Sequence, residues 1–305
     1  LRRAAELIRQ GRLVAFPTET VYGLGANALD AEAVARIYEA KGRPATSPLI
    51  VHAGSIEMAR GLAREWRPEA EALAARFWPG PLTLVVPKAA CIPDIVTAGL
   101  GTVGLRVPAH PVALALIREA GVPIAAPSAN RFTQLSPTTA EHVRAGLGEA
   151  VDLILDGGPT TVGIESTVLS LAAARPVLLR PGMVNQREIE ALIGPVEQAG
   201  RIENGVAHMS PGMHARHYSP ATRLLLVRGG AVPADGAGAY LSLGGTARGG
   251  VHTVTMPDDP AAYATALYAT LHELDRKGLD WIAVEMPPPG AEWAGIRDRL
   301  ERAAK

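Results

Sequence analysis

Short apolar runs recur along this chain, and several of them adjoin with no helical pattern between them. Strand-like stretches at 82–87 and 103–107, and again at 153–156, 166–171 and 177–180, follow one another in this way. Parallel neighbours need a crossover of a dozen or more residues, usually a helix, so adjoining strands impose some antiparallel pairing. Elsewhere strands at 13–16, 48–52 and 123–126 alternate with helical stretches at 1–10, 31–40, 68–77, 111–120, 138–146 and 187–193. Asp30 and Ser55 precede helical stretches as N-caps, their side chains placed to accept otherwise unpaired amide protons. The expected class is α/β, with a twisted mixed sheet over 1–195 rather than a strictly doubly wound one. Polar, turn-rich residues 196–220 read as a linker. Strands at 223–227, 238–243, 250–255 and 281–285, with helices over 260–277 and at the end, make a second, smaller α/β domain at 221–305, Rossmann-like in its alternation.

The 305 residues suffice for about two domains and a large core. Lys+Arg and Asp+Glu are both 30, so bulk charge does not hold this chain to nucleic acid or membrane, although a local basic patch is compatible with the total. Cys91 is the single cysteine, which excludes an intramolecular disulfide framework and a multi-cysteine zinc site. No apolar run approaches the ~18 residues of a membrane span, and no basic-then-apolar leader opens the sequence. The chain starts at Leu1 without a methionine, so a few residues are expected to precede it. A soluble, cytoplasmic protein with no membrane contact is expected.

The stretch "PTETVYGLG" at 17–25 follows the apolar run Leu13-Val14-Ala15-Phe16. Ligands in open α/β sheets bind outside the carboxyl ends of strands, so hydroxyls, a carboxylate and bare backbone at that point read as part of a pocket. A Gly-rich turn leading to a capped helix is the equal alternative. The glycine patterns do not support a dinucleotide or P-loop site. Gly99-Leu-Gly101-Thr-Val-Gly104 leads into a strand rather than a helix, Gly23-Leu-Gly25 has no acidic residue placed for a ribose, and G-x-x-x-x-G-K-[ST] is absent. No H-E-x-x-H motif occurs, and Ser128 lacks G-x-S-x-G surroundings.

Cations and hydroxyls nevertheless gather at predicted loop ends. Lys41, Arg43 and Ser47 lead into the strand that ends at His52; Arg106 sits in a short strand. Ser128 and Asn130 follow an apolar strand in "APSAN", Ser136 lies in "LSPT", Ser166 opens one strand and Arg180 ends another. Each alone reads as a solvated charge, a cap or a turn. Together they form the donor set that a polyphosphate or carboxylate requires.

"PTETVYGLG", "KGRP…SPLIVH", "FWPGPLTLVV", "LRVP", "APSAN", "SPT", "ESTV" and "RPG" occur in that order, and the ensemble resembles YrdC-like proteins, in particular L-threonylcarbamoyladenylate synthases. "SPGMHARHYSP" at 210–220 and the smaller domain beyond it look like the long form of that enzyme. The resemblance implies condensation of L-threonine, bicarbonate and ATP to threonylcarbamoyl-AMP and pyrophosphate by a nucleotidyltransferase, with Mg2+ assisting. The product would serve threonylcarbamoyladenosine modification of tRNA next to the anticodon, through downstream tRNA-modifying threonylcarbamoyltransferase proteins. By motif it implies Thr20, His52, Arg106, Ala126 and Ser166 around threonine. Arg43, Ser47, Thr102, Ser128, Ser136 and Arg180 would hold ATP, with Arg216 or Tyr218 of a lid touching the nucleotide. Lys41 and Asn130 would line the same cavity, and no protein-held metal site and no side-chain nucleophile are expected. Two other classes compete. Hydrogenase-maturation carbamoyltransferases carry a YrdC-like domain beside zinc-binding modules that a single cysteine excludes. A non-catalytic module would use a concave basic face for weak RNA contact.

Overall fold

A computed structural model describes residues 1–199, 217–245 and 251–304. Its first sheet is built from β1 (Val14–Phe16), β2 (Gly23–Asn27), β3 (Ile50–His52), β4 (Leu82–Pro87), β5 (Thr102–Arg106), β6 (Ile124–Ala125), β7 (Leu153–Ile154), β8 (Thr167–Ser170), β9 (Val177–Arg180) and β10 (Glu197–Gln198). Among the described residues these lie in the order β10-β9-β8-β4-β5-β3-β6-β2-β1-β7. The pairing is mixed: β3 with β5 and β4 with β8 are parallel, whereas β4 with β5, β8 with β9 and β1 with β2 are antiparallel. The helices of this part are α1 (Arg2–Arg9), α2 (Ala31–Lys41), α3 (Ile56–Gly61), α4 (Pro68–Phe77), α5 (Pro111–Ala120), α6 (Ala140–Leu147) and α7 (Gln186–Ile193). Asp30 and Ser55 cap α2 and α3 through backbone amides, as their sequence positions suggest.

Two elements differ from the sequence reading. The glycines of "PTETVYGLG" open a strand, β2, which returns antiparallel to β1 after a six-residue connection, 17–22, whose turn is held by Thr18 Oγ1. Gly25 sits in that strand because a Cβ there would lie 2.6 Å from a Phe16 ring carbon and 2.8 Å from an Ile124 methyl. The expected linker also begins late, since Glu197–Gln198 still pairs with β9 at the sheet edge.

The second sheet comprises β11 (Arg223–Val227), β12 (Gly238–Leu243), β13 (His252–Met256) and β14 (Trp281–Glu285), in the order β11-β14-β12-β13 and parallel throughout. It carries α8 (Pro260–Asp275) and α9 (Ala294–Ala303). The two parts share a core: Val21, Leu135 and Ile164 of the first pack with Leu267, Tyr268, Ile296 and Leu300 of the second. Backbones meet directly where a Cβ on Gly295 of α9 would stand 2.9 Å from the Gly182 Cα.

Replacing Gly25 by alanine is expected to force Phe16 from its place against His52, whose ring it meets edge-on at 6.2 Å. Overpacking of this kind costs about 1–3 kcal/mol. Urea titration should register a lower midpoint with an unchanged slope, and an unaltered midpoint would mean that the strand yields without strain.

Candidate active site

The turn after β1, the end of β3, the end of β5 and the loops after β6, before β8 and after β9 converge on one cavity. Thr18, Thr20, Arg43, His52, Arg106, Ala126, Ser128, Glu165, Ser166, Arg180, His217 and Tyr218 face it. The "PTETVYGLG" segment is stitched to the loops beside it: Tyr22 and Leu24 amides donate to the Pro137 and Pro127 carbonyls at 2.8 Å each. The Tyr22 hydroxyl donates to the Gly158 carbonyl at 2.7 Å.

At one end Arg106, buried in β5, donates from Nε to the Gly80 carbonyl at 3.1 Å and from Nη1 to Thr20 Oγ1 at 3.0 Å. Glu19 lies 2.7 Å from Arg106 Nη2, neutralising charge from a direction that makes no hydrogen bond. Both Glu19 carboxylate oxygens, Arg106 Nη2 and His52 Nδ1 are buried polar atoms with no hydrogen-bond partner among the described residues. Such a cluster calls for a ligand or water, because unmatched buried polar atoms are costly. Burial, reinforced by the Arg106 charge, pushes the His52 imidazole down to about 3, so it is neutral at ordinary pH.

At the other end Arg43 Nη2 donates to Ser47 Oγ at 2.6 Å and to the Pro48 carbonyl at 2.9 Å. Burial lowers its pKa to about 10. Arg180 donates to the Ser166 carbonyl at 3.1 Å, to Ser166 Oγ at 3.2 Å and to the Tyr218 hydroxyl at 3.4 Å. Tyr218 adopts a positive φ of 62°, a rare conformation for a bulky residue, and is fully enclosed.

Several expected site residues stand behind the cavity wall. Lys41 was expected to line it, yet its ammonium is buried against the Ser128 and Asn130 carbonyls, which fixes the "APSAN" loop. Asn130 closes the following turn through the Arg131 and Gln134 carbonyls. Ser47 is buried as the acceptor of Arg43. Ser136 donates to Glu165 Oε1 at 2.5 Å. Thr102 pairs with Pro87 at the far end of β5, four residues from Arg106 and thus roughly 13 Å along the strand. Arg216 lies outside the described residues. The carboxylates of "PTETVYGLG" and "ESTV", Glu19 and Glu165, were visible in the sequence but given no role, and the second-domain residues around Glu165 were not singled out; only tertiary structure shows what the carboxylates face.

The family description "Telomere recombination", covering Sua5, YciO and YrdC proteins, matches residues 6–182, and "Threonylcarbamoyl-AMP synthase, C-terminal domain" matches residues 184–305. A threonylcarbamoyl-AMP synthase of Pyrococcus abyssi is 43% identical over 325 residues, spanning 100% of this chain and 94% of its own length. One of Bacillus subtilis is 43% identical over 326 residues, spanning 100% of this chain and 92% of its own. The crystal structure of P. abyssi Sua5 complexed with L-threonine superimposes with a TM-score of 0.92 at 41% identity, covering 99% of this chain and 93% of that one.

The neutral, buried His52 has a consequence for stability. Its folded pKa lies below the unfolded value, so the unfolded chain binds the extra proton and stability falls as pH drops from about 6.5 towards 3. This group alone should remove about 2 kcal/mol between pH 7 and pH 5. Melting temperatures measured across that range should show the loss, and His52→Asn should flatten the slope; an unchanged slope would show that His52 protonates in the folded state.

Proposed function

The chain belongs to the threonylcarbamoyl-AMP synthase family, and from that premise we propose that it acts as a nucleotidyltransferase, condensing L-threonine, bicarbonate and ATP to threonylcarbamoyl-AMP and pyrophosphate. The observation that carries the site assignment is an excess of buried positive charge. Lys41, Arg43, Arg106, Arg180 and Arg299 are buried, against Glu19 and Glu165 as the buried carboxylates among the described residues. Buried cations are tolerated only with partners, and a polyanion supplies them.

Threonine occupies the end formed by Thr20, His52, Arg106, Ala126 and Ser166, its carboxylate taken by Arg106. The P. abyssi protein, solved in complex with L-threonine, supports threonine as a ligand by similarity. ATP lies towards Arg43, Ser128 and Arg180, with Tyr218 at its edge and Ser47 and Ser136 supporting the wall. The threonine amine, neutral when it reacts, condenses with bicarbonate to give a carbamate and water, and a carbamate oxygen attacks the α-phosphate as pyrophosphate leaves. No side chain forms a covalent bond. The residues hold two anions in line and stabilise charge that develops on the phosphates.

Among the described residues no cluster of three His, Cys, Asp or Glu could hold a metal ion, and Glu19 and Glu165 both face arginines. The donor set of the described residues therefore does not fit a magnesium site of the protein's own. Magnesium would arrive on the phosphate oxygens of ATP, as part of the substrate. The adenylate would pass to tRNA-modifying threonylcarbamoyltransferase proteins. No helix among the described residues is long and apolar enough to cross a membrane.

Pyrophosphate release measured with ATP, bicarbonate and threonine, then without threonine, tests the reaction; release that ignores threonine would overturn it. Arg106→Gln should weaken threonine binding by about 1.5–3 kcal/mol, roughly 10- to 150-fold, and leave ATP binding nearly intact. Calorimetry showing equal losses for both ligands would remove Arg106 from the threonine carboxylate. Arg43→Ala should show the converse, with an ATP loss of about the same size; a normal ATP titration would take Arg43 out of the site.

A further inference from the structure

Arg299 reaches from the second domain to Glu165, a residue of the cavity wall. It stands on α9, is 1% exposed, and donates from Nε to Glu165 Oε2 at 2.7 Å and from Nη2 to the Glu165 carbonyl at 3.1 Å. Its Nη1 donates to the Pro181 carbonyl at 2.9 Å. One guanidinium thereby grips both the loop leading to Ser166 and the loop following Arg180. Tyr268 of α8 adds its hydroxyl to Glu165 Oε2 at 3.2 Å, and Ser136 donates to the other carboxylate oxygen. The guanidinium also lies over the Tyr218 ring at 5.3 Å. The close approach of Gly295 to Gly182, one helical turn before Arg299, is what brings α9 near enough.

Glu165 lines the cavity, where a carboxylate opposes an incoming polyphosphate and attracts Arg180. Burial alone would raise its pKa; the charges of Arg299 and then Arg180, with the Ser136 hydrogen bond, outweigh burial and keep it ionised. Two guanidiniums thus act on one carboxylate, and which of them holds it decides where Arg180 points.

We propose that Arg299, assisted by Tyr268, is a positioning residue supplied by the second domain: by holding Glu165 it keeps Arg180 on Ser166 and turned towards the nucleotide. The second domain then contributes to ATP binding without touching ATP. This rests on the synthase reading and on Arg180 being at the phosphate end.

The test titrates full-length variants with ATP and magnesium, and separately with threonine. Arg299→Met should raise the ATP Kd at least tenfold, because Glu165 then draws Arg180 away, and leave the threonine Kd within twofold. Adding Glu165→Gln to Arg299→Met should restore the ATP Kd to within about threefold of the wild type, a rescue that a merely structural role for Arg299 would not give. Arg299→Met with a wild-type ATP Kd, or a double variant no better than the single one, overturns the proposal. Should Arg299→Met not fold, Tyr268→Phe decides: a two- to fivefold rise in ATP Kd alone supports the proposal, and an unchanged value overturns it. Wild-type protein that binds ATP yet makes no threonine-dependent pyrophosphate would defeat the synthase reading and leave these binding comparisons standing.

Discussion

The constraint on which this molecule turns is the burial of more positive than negative charge around one cavity. Five buried cations face two buried carboxylates among the described residues. Each is satisfied differently. Lys41 is spent on two loop carbonyls, and burial, with the neighbouring Arg43 charge, pulls its pKa well down. Arg43 rests on the Ser47 hydroxyl and two carbonyls, and Arg106 shares its charge with Glu19 while its Nη2 lacks a directional hydrogen bond. Backbone carbonyls provide hydrogen bonds but no full negative charge, so Arg43 is solvated by dipoles alone and Arg106 Nη2 lacks a hydrogen-bond acceptor until an anion arrives. A site of this kind is destabilised when empty and relieved by its substrates, which is how binding energy can be directed towards charge that forms during the reaction.

The second domain takes part in the same balance. Its Arg299 is the strongest counter-charge to Glu165, and the core joining the domains runs through Val21, next to Thr20, and through Ile164, next to Glu165. Burial of apolar surface between the domains and neutralisation of a cavity carboxylate are therefore one event: separating the domains would expose the first and unpair the second. A buried ion pair broken on one side is far costlier than a surface one, so the domain interface and the phosphate end of the site stand or fall together.

The sequence disclosed what is local and contiguous. Capped helices, the adjoining strands of the mixed sheet, and the loops bearing Thr20, His52, Arg106, Ser128, Ser166 and Arg180 were legible because each is a short motif whose residues act near where they stand. β2 was not, because Gly23 and Gly25 read as a turn; Gly25 is a glycine because Phe16 and Ile124 fill the space a Cβ would take, and a Cβ on Gly23 would press on that of Ala126 at 3.2 Å. Thr102 was placed at the ATP end by motif alone; the structure puts it at the start of β5, at the opposite end of that strand from Arg106. Arg299 left no signal at all. It lies in "GIRDRLERAA", which reads as a helix with a solvated charged face, and 134 residues separate it from the carboxylate it holds.

The enclosed space bears on how the site must work. In this conformation the cavity measures about 50 Å³, whereas pockets for ligands of ordinary size run from roughly 300 Å³ upwards. Threonine and ATP together cannot occupy it unless part of the wall retreats. Most of that wall is sheet or loop tied to sheet, as in the amide bonds from Tyr22 and Leu24. Tyr218 differs: it stands at a positive φ in the segment joining the domains, with its hydroxyl on Arg180 and its ring against Arg299 and Tyr268. A residue held in a strained backbone conformation by replaceable contacts is the part of the wall that costs least to move. On the proposed placement of ATP, a phosphate oxygen taking the place of the Tyr218 hydroxyl on Arg180 would put a charge-assisted bond where a neutral acceptor stands at 3.4 Å. The same cation excess that supports anion binding in this proposal would then favour the displacement.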